Sequence, residues 1–141
     1  MAKFRFYAVK LCFLMICIFA LQLFLSNFGF TELFLLNENS GVEFWRFLTA
    51  IFLHGNIPHL LYNLFALALF GSILEVLIKG RKFLFIFFFT GILANIIAVN
   101  FYTASLGASG AIFGVIGALI IVKPGQFVWA FGLPMPIFIA G

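Results

Sequence analysis

Residues 105–117 read SLGASGAIFGVIG, and how far the helix beginning near Ser109 can run decides the fold. The uncharged stretch from Ser109 to Val122 is closed by Lys123-Pro124-Gly125, a stop followed by a turn. That leaves about 14 residues, roughly 21 Å at 1.5 Å per residue, against a bilayer hydrocarbon core of about 30 Å. If Val122 sits at one interface, Ser109 lies roughly 9 Å beneath the other, and the preceding TASLGA must enter the membrane as irregular backbone. Backbone of that kind is tolerated at depth only where protein buries it or a watery cavity bathes it. Gly107, Gly110, Gly114 and Gly117 add a small-residue pattern that lets neighbouring helices approach closely. A short, central helix with Ser109 at the floor of a wet depression is the expectation.

Composition supports a membrane setting. The chain is 65% hydrophobic and 9% charged, with 23 phenylalanines among 141 residues, and its mean hydropathy is +1.25. Soluble domains carry roughly a quarter charged residues, so this inventory cannot build a solvated surface. The net charge of +4 is no nucleic-acid signal, because its meaning lies in where the charges fall. Cys12 and Cys17 share one apolar run on different helix faces and read as packing residues rather than a disulfide or metal site. The expected class is all-α: a polytopic transmembrane bundle of four complete spans plus a partial or broken fifth.

The spans follow from the apolar runs. Leu11 to about Phe28 is the first, long enough to cross and without a small-residue cleavage site after it. A loop over 29–58 carries Glu32, Glu38, Glu43 and Arg46, and its EFWRFLTAIFLH segment has the aromatic and basic mixture of an interfacial helix. His59 to Ile78 is the second span, Phe83 to about Tyr102 the third, and Ser109 to Val122 the fourth. The fifth apolar segment starts near Phe127 and is interrupted by Pro134 and Pro136. Lys3, Arg5, Lys10, Lys79, Arg81, Lys82 and Lys123 fall in the amino-terminal tail and the even-numbered connections, and Arg46 alone on the other side. The positive-inside rule then places the amino terminus (residues 1–10) in the cytoplasm and the 29–58 loop outside.

Polar residues mark a site. His59 and Asn63 are four apart, so they share a helix face within the first two turns of the second span, at a depth overlapping that of Ser109. Either residue has an ordinary role in hydrogen bonding between helices. Three polar groups at one depth offer more: acyl transfer needs a nucleophile, a base, and donors aimed at the developing oxyanion. Ser109 suits the first role, and His59, Asn63 and the N–H groups opening the fourth helix suit the last. Glu75, four residues before Lys79, has a plain helix-pair explanation.

This constellation resembles the rhomboid family of intramembrane serine proteases. The matching elements are Trp45-Arg46 in the long loop, the H-x-x-x-N of His59 and Asn63, and G-A-S-G at 107–110, in the family's order and topology; Glu75 also sits where rhomboids usually carry a glutamate. The resemblance implies that Ser109 is the nucleophile, that His59, Asn63 and the Ser109 N–H form the oxyanion hole, and that Trp45-Arg46 is structural. It further implies cleavage of transmembrane protein substrates near their outer ends, at the cell membrane, without metal or cofactor and without nucleic acid. Rhomboids take their general base from a histidine on a sixth helix. Here the chain ends at Gly141, and only His54 and His59 are present; His59 matches the oxyanion position and His54 a loop position. The sequence is therefore read as a single rhomboid-like domain over 1–141, incomplete at its carboxyl end, whose alternative is a catalytically inactive relative binding transmembrane partners.

Overall fold

The computed structural model describes residues 6–125, 127–130, 133–136 and 139. Helix α1 (Tyr7–Phe24) leads into a 3-10 turn at Ser26–Phe28 and a short helix α2 (Phe30–Phe34). Strand β1 (Leu36–Asn37), a 3-10 turn at Glu38–Gly41, the one-turn helix α3 (Arg46–Thr49) and a 3-10 turn at Ala50–Phe52 follow. Helix α4 (Ile57–Ala66) continues through a π turn at Leu67–Gly71 into α5 (Ser72–Ile78). Helices α6 (Gly80–Ala98) and α7 (Ser109–Val122), with strand β2 (Ala104–Ser105) between them, complete the bundle.

Three helical stretches are long and apolar enough to cross a membrane: Tyr7–Phe24, Ile57–Ile78 and Gly80–Ala98. The helix α7 is shorter, at 14 residues, with the bounds that its apolar run predicts. Its buried face (Ala111, Ile112, Val115, Ile116 and Leu119) packs against α6 and the α4–α5 stretch. Phe113 and Ile121 on its other side are exposed among the described residues, so α7 is covered on one flank rather than all round. The glycines act where they meet α6: a Cβ on Gly110 would run into Ala94 and one on Gly114 into Thr90. Gly117 has nothing within 4 Å and takes no part in that seam.

The first and third spans lie about four residues nearer the amino terminus than their apolar runs suggest. For α1 the cause is Glu75, 1% exposed, whose two carboxylate oxygens accept the Tyr7 and Ala8 N–H groups, each at 3.0 Å. The carboxylate thus satisfies two donors that a helix start leaves open. The expected Glu75–Lys79 pair does not form; Lys79 is exposed and has φ +72°, turning the chain between α5 and α6. The helix α6 ends at Ala98, where Asn100 Nδ2 donates to the Ile96 and Ile97 carbonyls at 3.1 and 3.3 Å and draws the backbone out of the helix. Gly71, inside the π turn, has Ala8 and Phe83 within 3.2–3.3 Å of where a Cβ would stand, so α1 and α6 close on the second span there.

Two expectations are corrected. The interfacial helix expected over residues 43–54 is only the single turn α3 plus a 3-10 turn, because the loop spends its polar groups on caps. Arg46, 4% exposed, pairs with Glu43 at 2.6 Å and donates to the Glu32 and Leu35 carbonyls at 2.6 and 2.9 Å. The broken fifth helix is instead an antiparallel pair of strands, β3 (Phe127–Ala130) and β4 (Leu133–Pro136), with Phe127 opposite Pro136 and Ala130 opposite Leu133. Pro134 and Pro136 lack the N–H that a helix needs and push their predecessors toward extended backbone. Cys12 is buried with its thiol 3.6 Å from the Leu64 carbonyl, whereas Cys17 is exposed and both are free; only Cys12 packs as expected.

Candidate active site

Ser109 is the first residue of α7, and the chain arrives there through backbone pinned at three points. Leu36 pairs with Ser105 and Asn37 with Ala104, and the Gly107 N–H donates to the Ala50 carbonyl at 2.8 Å. Gly107 has φ +120°, a conformation L residues rarely adopt. Its missing side chain leaves room for His59: a Cβ there would stand 2.7 Å from both Cε1 and Nε2 of the ring and 3.9 Å from Asn63 Nδ2. The G-A-S-G turn, the His59 ring and the Asn63 amide therefore meet at one point, two residues before the serine.

Each partner is held from its own helix. Asn56 caps α4 by accepting the His59 N–H through Oδ1 at 2.8 Å. One turn on, buried Asn63 donates from Nδ2 to the His59 carbonyl at 3.1 Å. His59 itself is half-buried and Ser109 exposed. No side chain caps α7, and its first hydrogen bond runs from the Ile112 N–H to the Ala108 carbonyl at 2.9 Å. The N–H groups of Ser109, Gly110 and Ala111 are thus left unclaimed by the helix and give its start the partial positive charge that favours an oxyanion. Among the described residues no hydrogen bond joins Ser109 to His59 or Asn63; the three converge through Gly107.

Behind His59 lies a second histidine. His54 is 1% exposed, its ring centroid is 5.1 Å from that of His59 at a 66° tilt, and its Nδ1 is 3.2 Å from the Phe52 carbonyl. That contact identifies the Nδ1–H tautomer, leaving Nε2 as a buried atom without a hydrogen-bond partner. Burial and, second, the neighbouring His59 lower the His54 pKa from 6.5 to about 4, against the opposing pull of the Phe52 carbonyl. His54 is a neutral ring at physiological pH.

Gln22 supports the His54 side of the site and Asn95 ties α6 to the loop; neither was singled out from the sequence. Gln22, 6% exposed, grips the His54 backbone at both ends: Oε1 accepts its N–H at 2.9 Å and Nε2 donates to its carbonyl at 3.2 Å. The same amide reaches the Thr31 hydroxyl at 3.1 Å. Buried Asn95 on α6 donates to the Phe47 carbonyl at 2.8 Å and ties α3 to the bundle. A polar residue inside an otherwise apolar span was the available signal for both. Arg46 fixes the loop as described, while Trp45 is 45% exposed and meets Phe44 edge to face. On the flank of α4, an apolar recess of about 390 Å³ is lined by Pro58, Leu61, Tyr62 and Phe65. No cluster of three or more metal-ligating side chains occurs among the described residues.

Comparison with known proteins agrees with this architecture. A family model described as the Rhomboid domain matches residues 41–141. The chain is 44% identical over 89 residues to the rhomboid protease GluP of Bacillus subtilis (strain 168), covering 60% of this chain and 18% of that protein. It is 35% identical over 82 residues to rhomboid-like protease 3 of Toxoplasma gondii, covering 57% of this chain and 31% of the relative. It is also 36% identical over 87 residues to inactive RHOMBOID-like protein 8 of Arabidopsis thaliana, covering 60% and 24% respectively. The chain thus spans less than a third of each of these relatives.

Proposed function

The chain belongs to the rhomboid family, and from that premise we propose that it carries the nucleophile and oxyanion hole of an intramembrane serine endopeptidase. The observation that carries the reading is the approach of His59 and Asn63 to Gly107 at the start of α7. On this reading Ser109 Oγ attacks a peptide carbonyl, forming a C–O bond as its proton passes to a base. The oxyanion accepts hydrogen bonds from a His59 ring N–H, the Asn63 amide and the Ser109 backbone N–H. The amine leaves with a proton, and water then releases the acyl group from Ser109. No metal or cofactor has a part in these steps. Transmembrane protein substrates would approach across the α4 recess, whose apolar lining suits a lipid-soluble segment. On this reading the chain is a cell-membrane protein with its amino terminus in the cytoplasm; the orientation is supported by Lys10, Lys79, Arg81, Lys82 and Lys123, which leave the α1 start, the α5–α6 turn and the α7 end basic.

The base of this scheme is not His54, whose Nε2 is buried and whose Nδ1 is engaged; the family resemblance assigns it to a histidine on a later helix. The second reading, a catalytically silent relative that binds transmembrane partners, draws on the 36% identity to a relative named inactive and on the fact that neither His54 nor His59 is hydrogen-bonded to Ser109 among the described residues. Reconstitution of the full gene product with a single-span reporter separates the two. The protease reading expects cleavage that Ser109→Ala abolishes, and the silent reading expects reporter binding, uncut, that Ser109→Ala leaves unchanged.

A further inference from the structure

At the opposite end of the bundle from Ser109, two distant segments that carry cations meet at Tyr7. Lys10, on α1, places its ammonium 5.3 Å from the Tyr7 ring centroid. The α5–α6 turn, which carries Lys79, Arg81 and Lys82, meets the same residue through its backbone: Gly80 packs so closely on Tyr7 that a Cβ there would collide with the ring. All four cations are exposed, and none enters an ion pair among the described residues, where the single salt bridge is Arg46–Glu43. The one carboxylate in the neighbourhood, Glu75, is 1% exposed and has both oxygens turned to the Tyr7 and Ala8 N–H groups. The charge is therefore uncompensated and directed outward, at a level set by the ends of two membrane-length helices.

We propose that Lys10, Lys79, Arg81 and Lys82 form a binding site for the phosphate headgroup of an anionic phospholipid. The geometry suits a lipid better than a soluble anion. Val9 and Phe13 on α1 and Phe85 on α6, within a turn of these cations along the chain, are exposed apolar side chains, which acyl chains below a bound headgroup can cover. The exposed lysines and arginine lie within reach of an anionic surface, where each contributes a comparable increment of attraction. This site owes nothing to Ser109 and stands whether or not the chain cleaves peptides.

The test measures lipid retention by the intact protein in neutral detergent, with phosphatidylglycerol and phosphatidylcholine as probes at matched acyl chains. Phosphatidylglycerol should be retained preferentially, and 0.5 M salt, on the order of a 4 Å screening length, should remove the preference. The double variant Arg81→Gln/Lys82→Gln should lose between about five- and thirtyfold in phosphatidylglycerol affinity, while Arg81→Lys retains it. Both sites are exposed, and an unchanged melting transition without added lipid verifies that the double variant is folded. Equal retention of the two lipids, or an unaltered preference in the folded double variant, would overturn the proposal. Competition by millimolar inorganic phosphate would also overturn it, by revealing a general anion site instead of a lipid one.

Discussion

Replacing Gly107 with alanine tests the geometry on which the catalytic reading rests. The backbone at φ +120° is a conformation reserved for glycine, and holding another residue there costs on the order of 1–3 kcal/mol. The new methyl would also stand 2.7 Å from His59 Cε1 and Nε2, where ordinary contact begins near 3.4 Å. Overpacking of this kind costs a further ~1–3 kcal/mol. Gly107→Ala should therefore destabilise the protein by about 2–6 kcal/mol and push the His59 ring off the position facing the turn. Chemical unfolding in detergent measures the first effect. A double-mutant cycle measures the second: His59→Ala removes the clash, so the double variant should recover about 1–2 kcal/mol relative to the sum of the single variants. In labelling by a fluorophosphonate, loss of one oxyanion donor should slow modification of Ser109 by about 10²–10³-fold. Additive stabilities and an unchanged labelling rate would refute the claim that His59 is seated against this turn.

Three further outcomes follow from contacts away from the turn. Glu75→Ala strands the Tyr7 and Ala8 N–H groups and should cost about 3 kcal/mol, with Glu75→Gln losing roughly half of that, both read by thermal or denaturant unfolding. Gln22→Leu leaves the buried His54 N–H and carbonyl unpaired and should cost about 2–4 kcal/mol by the same measurement, whereas the exposed Leu23→Ala should change little. For His54 the folded-state pKa of about 4 lies below the ordinary 6.5, so the unfolded chain binds the extra proton between those values. Stability is then full above pH 6.5 and declines as pH falls toward 4, by on the order of 3 kcal/mol from this group. His54→Phe should flatten that part of the pH–stability profile, and an identical slope in the variant would contradict the assignment.

What the sequence made legible, and what it hid, divides by range. The helix α7 was readable to the residue, because its boundaries come from neighbours in the chain: the glycine turn at one end and Lys123-Pro124 at the other. His59 and Asn63 were readable as a pair because four-residue spacing on a helix is local geometry. Their meeting with Gly107 could only be anticipated from matching depths, and the side-chain space that makes it possible is visible only in three dimensions. The Glu75 contacts with Tyr7 and Ala8 span 68 and 67 residues, so the four-residue helix spacing pointed instead to the nearby Lys79. Gln22 looked like one polar residue in an apolar helix, and its grip on His54, 32 residues away, has no local signature. In the last segment, apolar content suggested a membrane span, while the prolines and the β-favouring Phe-Val-Trp run turned it into paired strands.

The most direct measurement of the central claim is the site of covalent modification. Intact protein treated with a fluorophosphonate should carry one adduct, mapped by peptide mass spectrometry to Ser109, and Ser109→Ala should carry none. An adduct on another serine, or equal modification of the Ser109→Ala variant, would contradict the assignment of Ser109 as the nucleophile.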